Sequence, residues 1–537
     1  MKNLKIFLLF ALAIFTSCDL DENPPYLGEN AYNDPASILA TLDGVYAALA
    51  TYDCQERRIF VQNGFSGFFN TRKQGGNINN VNNRNLFSLK PQPNDGDTAA
   101  MWLGFYRAIA RANTLISNVQ DYDPEGNSAN DVLFKEVVGQ AYFVRAWSYF
   151  SLVRLFGDVP LILDLPSPDT IMNALSPAKD IYKQIIADAS MAADMMNGGD
   201  NPDYFYPKKY AANMLLAKVY MTMASPEYAM NYTTLPLGIP YYTSIIPDEL
   251  VGSNFWQMSY DQAIQVYNQY DLVPDYASLF TLEGENSSES IFELQMSQIA
   301  TNSQMGRNYT PNVYKPGQCF GWFTVGADFY DDHLTTYPTD SRLEGATYMS
   351  EYINNGNNPN NVGNLVRVYP SRNRGNFRNS HPYFFKFANK DITHSNQYDS
   401  KNLIIYRYAD LLLMLAEISN ELGDSANALN YVTQILDRSG LSNADYASAD
   451  QTTFRNKIMK EYRYELLGEG EDAHNNRRRG VDYFLEHIIV PHNTATTLSD
   501  GQAMNFNNKD LTLSEDPSQI MFLPLPTREI NTNDLIN

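Results

Sequence analysis

The chain has 537 residues, 44% hydrophobic and 13% aromatic, with 61 acids against 39 Lys and Arg for a net charge of −22. That excess of acid excludes the basic surfaces that bind nucleic acid or anionic lipid, and three cysteines are too few for a disulfide scaffold, so the core must come from packing. The length exceeds one ordinary core, yet no Ser-, Gly- or charge-rich linker divides it; one compact body of two interlocked halves, 31–255 and 256–537, is expected.

Residues 1–17 read as an export signal. Lys2 and Lys5 precede the apolar run Ile6 to Phe15, and the small residues Thr16 and Ser17 follow. A spanning helix needs roughly 20 apolar residues, so this run is too short to remain as an anchor. Phe-Thr-Ser-Cys resembles a bacterial lipobox, which makes Cys18 the lipidated residue. Residues 18–30 are charged and Pro-rich and read as a tether. Acids directly after the lipid cysteine resemble the surface-export signal of Bacteroidetes lipoproteins.

The apolar periodicity that follows is mostly helical. "MWLGFYRAIARANTLISNV" is one helix, and "GQAYFVRAWSYFSLVRLFG" with "SPAKDIYKQIIADASMAADMM" makes a pair. "YAANMLLAKVYMTM" pairs with "SYDQAIQVYNQY" across a Pro-containing insertion at 226–258. In "DLLLMLAEISNELGDSANALNYVTQILDRSG", Leu415, Ala416, Ser419, Ala428, Val432 and Ile435 fall at tetratricopeptide spacing, and Gly423-Asp424 makes the turn. "DYDPEG", at 121–126, mimics the start of a calcium loop, but Val132 stands where the bidentate Glu belongs, so a plain turn is expected. Strand-like runs are few and short.

Three stretches contain no Asp or Glu, 57–94, 294–327 and 352–390, and together they hold fourteen Lys and Arg among many Asn and aromatics. Lacking helical periodicity, they are expected to be loops. Aromatic faces for pyranose C–H groups, with amide and guanidinium donors for hydroxyls, are what sugar recognition needs. The alternatives are plain solvated loops whose arginines pair with acidic helices, or a docking surface. Trp322, in "QCFGWFTVG", is the leading ligand-binding candidate. Tyr309, Tyr314, Phe68 and Phe69 are further aromatic candidates, and Asn70, Arg72, Asn77 and Arg84 are the polar ones. Trp102, Trp147 and Trp256 sit in or beside predicted helices at core spacing.

No HExxH, GxSxG or GxxxxGK[ST] is present, and the six histidines lie singly. No metal or nucleotide cofactor is therefore expected. A glycosidase needs only two carboxylates, and 61 acids leave that reading open. Cys54 and Cys319 flank or lie within acid-free stretches; a disulfide would tie the two together, while free, buried thiols would pack as small hydrophobes.

"RAWSYFSLVRLFGDVPLI", "YPKKYAANMLLAKVYMTM", "YRYADLLLMLAEISNELGD", "EYRYELLGEGEDAHNNRRRG" and "MFLPLPTREI" resemble, in this order, the SusD/RagB family of outer-membrane nutrient-binding lipoproteins. The resemblance implies an all-α fold, a tetratricopeptide-like superhelix of about four helix pairs with long irregular loops forming a ligand face. It also implies non-catalytic capture of an oligosaccharide at the cell surface and its delivery to a SusC-like TonB-dependent transporter. An oligopeptide ligand, to which the Asn-rich loops would offer main-chain contacts, is the alternative, and a purely structural surface protein is another. In the family's EGxRxxDxRR region its Arg falls on Asp472 and its Asp on Asn475. Arg145, Tyr406, Arg407 and Asp410 carry the family pattern inside predicted helices and read as fold-bearing.

Overall fold

A computed structural model describes residues 32, 34–71, 85–119, 126, 128–165, 172–199, 205–225, 245–296, 303–370, 381–396, 398–495 and 518–536. Cys18, Arg72, Asn77, Arg84, the tether, most of the calcium-like turn and much of the 226–258 insertion lie outside these.

The body is mostly helical. α1 (Pro35–Leu49) starts where Asp34 accepts the Ser37 N–H at 3.0 Å and Pro35 takes the first turn, where its missing N–H costs nothing. α2 (Arg57–Phe65) follows a π-turn, then come α3 (Gly96–Asn118) and α4 (Ala129–Phe156). A reciprocal Ser128–Asp131 capping box opens α4, and Gly157, at φ +74°, closes it. α5 (Ala178–Met195), α6 (Lys209–Ala224) and α7 (Phe255–Val266) continue the series, each helix from α3 to α7 packing on the next.

In the second half, the short α8 (Met305–Tyr309) and α9 (Ala327–Thr336) precede a hairpin of α10 (Tyr408–Glu421) and α11 (Ser425–Arg438), which α12 (Gln451–Leu466) covers. Gly423 makes the turn at φ +82°, a conformation glycine adopts without a Cβ penalty, and Asp424 caps α11 by accepting the Asn427 N–H at 3.1 Å. α11 buries Ala428, Tyr431, Val432, Ile435 and Leu436, the three-and-four spacing of a one-sided helix. One hydrophobic cluster runs from Ile38 to Leu525 and takes in both halves of the chain.

Eight short strands are present among the described residues: β1 (Phe69–Thr71), β2 (Ser290–Leu294), β3 (Phe323–Val325), β4 (Tyr348–Met349), β5 (Glu351–Ile353), β6 (Leu365–Arg367), β7 (Tyr383–Phe384) and β8 (Leu403–Arg407). They form an antiparallel sheet in the order β1-β3-β7-β4 and the ribbons β2-β8 and β5-β6.

Three expectations are corrected. The acid-free stretch beginning at Arg57 is not all loop, because 57–65 is helical; every residue from Arg58 to Phe65 is buried, and a helix buried all round has no amphipathic period to read. Tyr406 and Arg407 lie in β8 rather than in a helix. Cys54 and Cys319 are free, buried thiols, not a disulfide. Cys54 packs where α3 comes closest, a Cβ built on Gly104 falling 2.8 Å from its Cα, and burial pushes its thiol up to about 12. The Cys319 thiol points to its own turn, donating to the Lys315 carbonyl at 3.9 Å.

Candidate functional site

The three acid-free stretches, the first about 200 residues before the other two in sequence, meet in one sheet. β1 comes from the first, β3 from the second and β7 from the third, with Phe69 opposite Val325, Thr71 opposite Phe323 and Thr324 opposite Tyr383.

Above β3 the chain carries an aromatic pair. Phe320 and Trp322 stand two residues apart, one on each side of Gly321. Their rings stack with centroids 5.0 Å apart and planes 16° from parallel. The Phe320 N–H donates to the Arg307 carbonyl and the Trp322 N–H to the Asn308 carbonyl, both at 2.9 Å, which ties the pair to α8. Gly321, between them, has φ +52°, and a Cβ there would sit 2.5 Å from the Tyr383 ring; only glycine lets the segment lie this close to β7. Phe320 is 37% exposed and Trp322 is half-buried. The Arg307 guanidinium lies 4.9 Å over the Phe320 ring. On α2 and the turn before it, Arg57 lies 4.4 Å over Tyr52 and pairs with Asp97.

The remaining sequence candidates occupy different environments. Tyr309 is buried, stacks on Phe323 with centroids 4.1 Å apart, and its hydroxyl accepts from Asn63 at 3.3 Å. Phe68 packs on Phe329 and Phe69 on Phe384, both buried. These three rings are packing surfaces, Tyr309 and Phe69 against rings of the sheet and Phe68 against α9. Asn70 is also buried, and its carbonyl accepts the Thr324 hydroxyl at 3.1 Å. Tyr314 is half-buried, edge-on to Tyr352 and Phe385. Phe320 and Arg307 were not singled out from the sequence, although Phe320 lies two residues before the chosen tryptophan.

The cations of the acid-free stretches are partly consumed by the fold. Arg367 pairs with Glu351 at 2.8 Å and the buried Lys386 with Glu469 at 2.7 Å. Burial lowers the Lys315 ammonium from its ordinary value; it donates to the His394 carbonyl. Beneath the aromatic pair, Trp322, Asn308, Phe60 and Glu56 line one narrow cleft. Glu56 accepts the Gln304 N–H at 2.6 Å, and burial pushes its carboxyl up to about 8.

The aromatic shelf stands on a mostly helical body, and among the described residues no group of three or more His, Cys, Asp or Glu could hold a metal ion. Residues 288–537 match the SusD family model, and residues 20–221 match a SusD-like model described as "Starch-binding associating with outer membrane". The chain belongs to the SusD/RagB family. SusD-like protein P2 of Formosa agariphila is 26% identical over 87% of this chain and 89% of its own length, and SusD-like protein P25 of the same organism is 23% identical over 90% of each. Among solved structures, a SusD homolog from Bacteroides thetaiotaomicron superposes with a TM-score of 0.71 at 19% identity, covering 95% of this chain and 97% of that one. A laminarin binding SusD-like protein gives 0.66 at 19% over 94% and 98%, and surface glycan-binding protein A from Bacteroides uniformis gives 0.67 at 18% over 94% and 99%.

Proposed function

We propose that this protein binds an oligosaccharide at the cell surface without altering it and passes it to a SusC-like TonB-dependent transporter. The observation that carries the reading is the exposed Phe320–Trp322 stack, flanked by Arg307, on the sheet where the three acid-free segments meet. Stacked rings offer a flat apolar surface for the C–H face of a sugar, and guanidinium and amide groups at its edge donate to hydroxyls. The glycan-binding neighbours and the outer-membrane description of the matching family model support it.

Trp322→Ala should weaken glycan binding at least about tenfold, since aromatic stacking on a ring ligand contributes roughly 1–3 kcal/mol. Phe320→Ala should weaken it as well, and neither change should reduce helical content. Calorimetry on a glycan found by array screening measures both effects; unchanged affinity in the two variants would place the site elsewhere, and binding of peptides alone would replace the sugar reading.

Attachment through Cys18 belongs to the same proposal. Each buried lipid CH₂ contributes about 0.8 kcal/mol, so two or more acyl chains hold a protein firmly. Cys18→Ala should move the protein from the membrane fraction to the soluble one on fractionation and should abolish acyl labelling. Labelling that persists in the variant would remove Cys18 as the lipidated residue.

A further inference from the structure

A second cavity, about 600 Å³, opens between α1, the first half of α4, the segment at 205–208 and residues 269–293. It shares no lining residue with the Phe320–Trp322 shelf. Its size falls in the range of small-ligand sites, roughly 300–1,000 Å³.

Aromatic rings form part of the wall. Phe205 is 65% exposed and lines the cavity, so its ring is open to a ligand. Tyr206, next to it, is held in place by stacking on Tyr46, centroids 5.3 Å apart, and by donating its hydroxyl to Asp43 at 2.5 Å. Tyr270 is fixed edge-on against Tyr210 at 6.1 Å. Tyr206 and Tyr270 are therefore preorganised, so a ligand need not order them.

The polar wall has a definite sign. Among the described residues, Glu136, Asp271 and Glu293 line the cavity against a single cation, Lys208. Glu136 is anchored by the Gln140 side-chain amide at 2.7 Å, and Glu293 accepts the Asn286 N–H at 3.1 Å. The Ser287 hydroxyl, also in the wall, has no hydrogen-bond partner among the described residues. Carboxylates accept hydroxyl hydrogens, and three against one cation repel an anionic ligand.

We propose that this cavity is a second saccharide site, taking a short saccharide that carries no negative charge. Phe205 supplies a face for the ring C–H groups, Glu136 and Asp271 accept ligand hydroxyls, and Lys208, which lies over the buried Tyr270 ring, donates to them. The aromatic shelf, by contrast, is flanked by Arg307, so the two sites differ in electrostatic preference.

The test uses the full chain in detergent with Trp322→Ala, so that loss at the shelf and loss at the cavity are read separately. Probes are neutral trisaccharides of glucose, mannose, galactose, xylose and N-acetylglucosamine, with trigalacturonate as the anionic control, titrated by calorimetry. At least one neutral probe should bind, and adding Phe205→Ala should weaken it by about tenfold with an unchanged circular-dichroism spectrum, because the ring lies at the surface. Failure of every neutral probe to bind, unaltered affinity on adding Phe205→Ala, or tighter binding of trigalacturonate would each overturn the proposal. None of these results bears on binding at the shelf, which is read with Trp322 in place.

Discussion

Replacing Arg407 with Met should lower the unfolding free energy by about 3–5 kcal/mol, the cost of removing one partner from a buried ionic cluster. Arg407 is 1% exposed and ends β8. Its guanidinium donates to Glu469 at 2.7 and 2.9 Å, to Glu289 at 2.9 Å and to the Glu465 carbonyl at 2.8 Å. Arg342, Arg438 and Lys386 complete the cation side, so the cluster joins the β2-β8 ribbon to α11, α12 and the third acid-free stretch. Removing Arg407 leaves carboxylates in the interior with too little positive charge. Burial would raise Glu465, but Arg438, Arg407 and Arg342 hold it well below the usual carboxylate range. A lowered folded pKa gives stability that is present above the unfolded value and lost as pH falls, so the wild type should lose this contribution on acidification and the variant should lose less. Arg407→Lys keeps the charge without the fork and should fall between the two. Urea unfolding followed by far-UV circular dichroism measures all three; a loss under about 1 kcal/mol in Arg407→Met would show that the cluster tolerates a missing cation.

The helical framework was legible because it rests on local rules. The helices predicted around 101–119, 139–157, 176–196, 210–223 and 410–438 are present within a few residues, except that α4 begins ten residues earlier, at its capping box. The pairs expected from the spacing do pack on one another. Trp102 and Trp147 are core residues at 2% and 1% exposure, as their helical spacing implies. Arg145 is fold-bearing through a bidentate pair with Asp188 at 2.8 Å. The state of the cysteines was not legible, because disulfide formation depends on where two distant Cα atoms come to lie.

The candidate site was half legible for a related reason. The lack of acids marked three segments that contribute strands to one sheet, and composition alone carried that signal. Their meeting in one sheet depends on pairings such as Phe69 with Val325, for which a three-residue strand gives no sequence cue. The same pairing decides which aromatics face solvent. Tyr309 and Phe69 have the composition of ligand contacts, but the sheet covers them, while Phe320 stays exposed because Gly321 lets its segment ride over Tyr383. The 600 Å³ cavity had no sequence signal, since its wall is gathered from five separate parts of the chain.

Glu56→Gln should make the protein more stable than the wild type at alkaline pH and flatten its pH dependence near neutrality. Glu56 is 4% exposed. Burial pushes its carboxyl from 4.5 up to about 8; the Gln304 N–H and the Ser303 hydroxyl oppose the shift and the Asp399 carboxylate adds to it. A folded pKa above the unfolded one means that the folded state holds the proton more tightly. The resulting stability is complete below about 4.5, declines as pH rises through neutrality, and is gone above about 8. At 1.36 kcal/mol per pKa unit the decline is on the order of 5 kcal/mol. Gln keeps the shape and the acceptor for the Gln304 N–H but carries no charge, so the variant lacks this slope. Other buried groups titrate nearby, Asp472 at about 7 and Lys386 at about 8, and the difference between the two proteins isolates Glu56. Denaturant unfolding between about pH 5 and about pH 9 should show the curves diverging in favour of the variant as pH rises. Parallel curves would mean that Glu56 ionises normally in the folded protein. Because Glu56 and Trp322 line the same cleft and Gln304 leads into α8, the carrier of the aromatic pair's backbone partners, glycan affinity in the wild type should weaken over the same interval and stay level in Glu56→Gln.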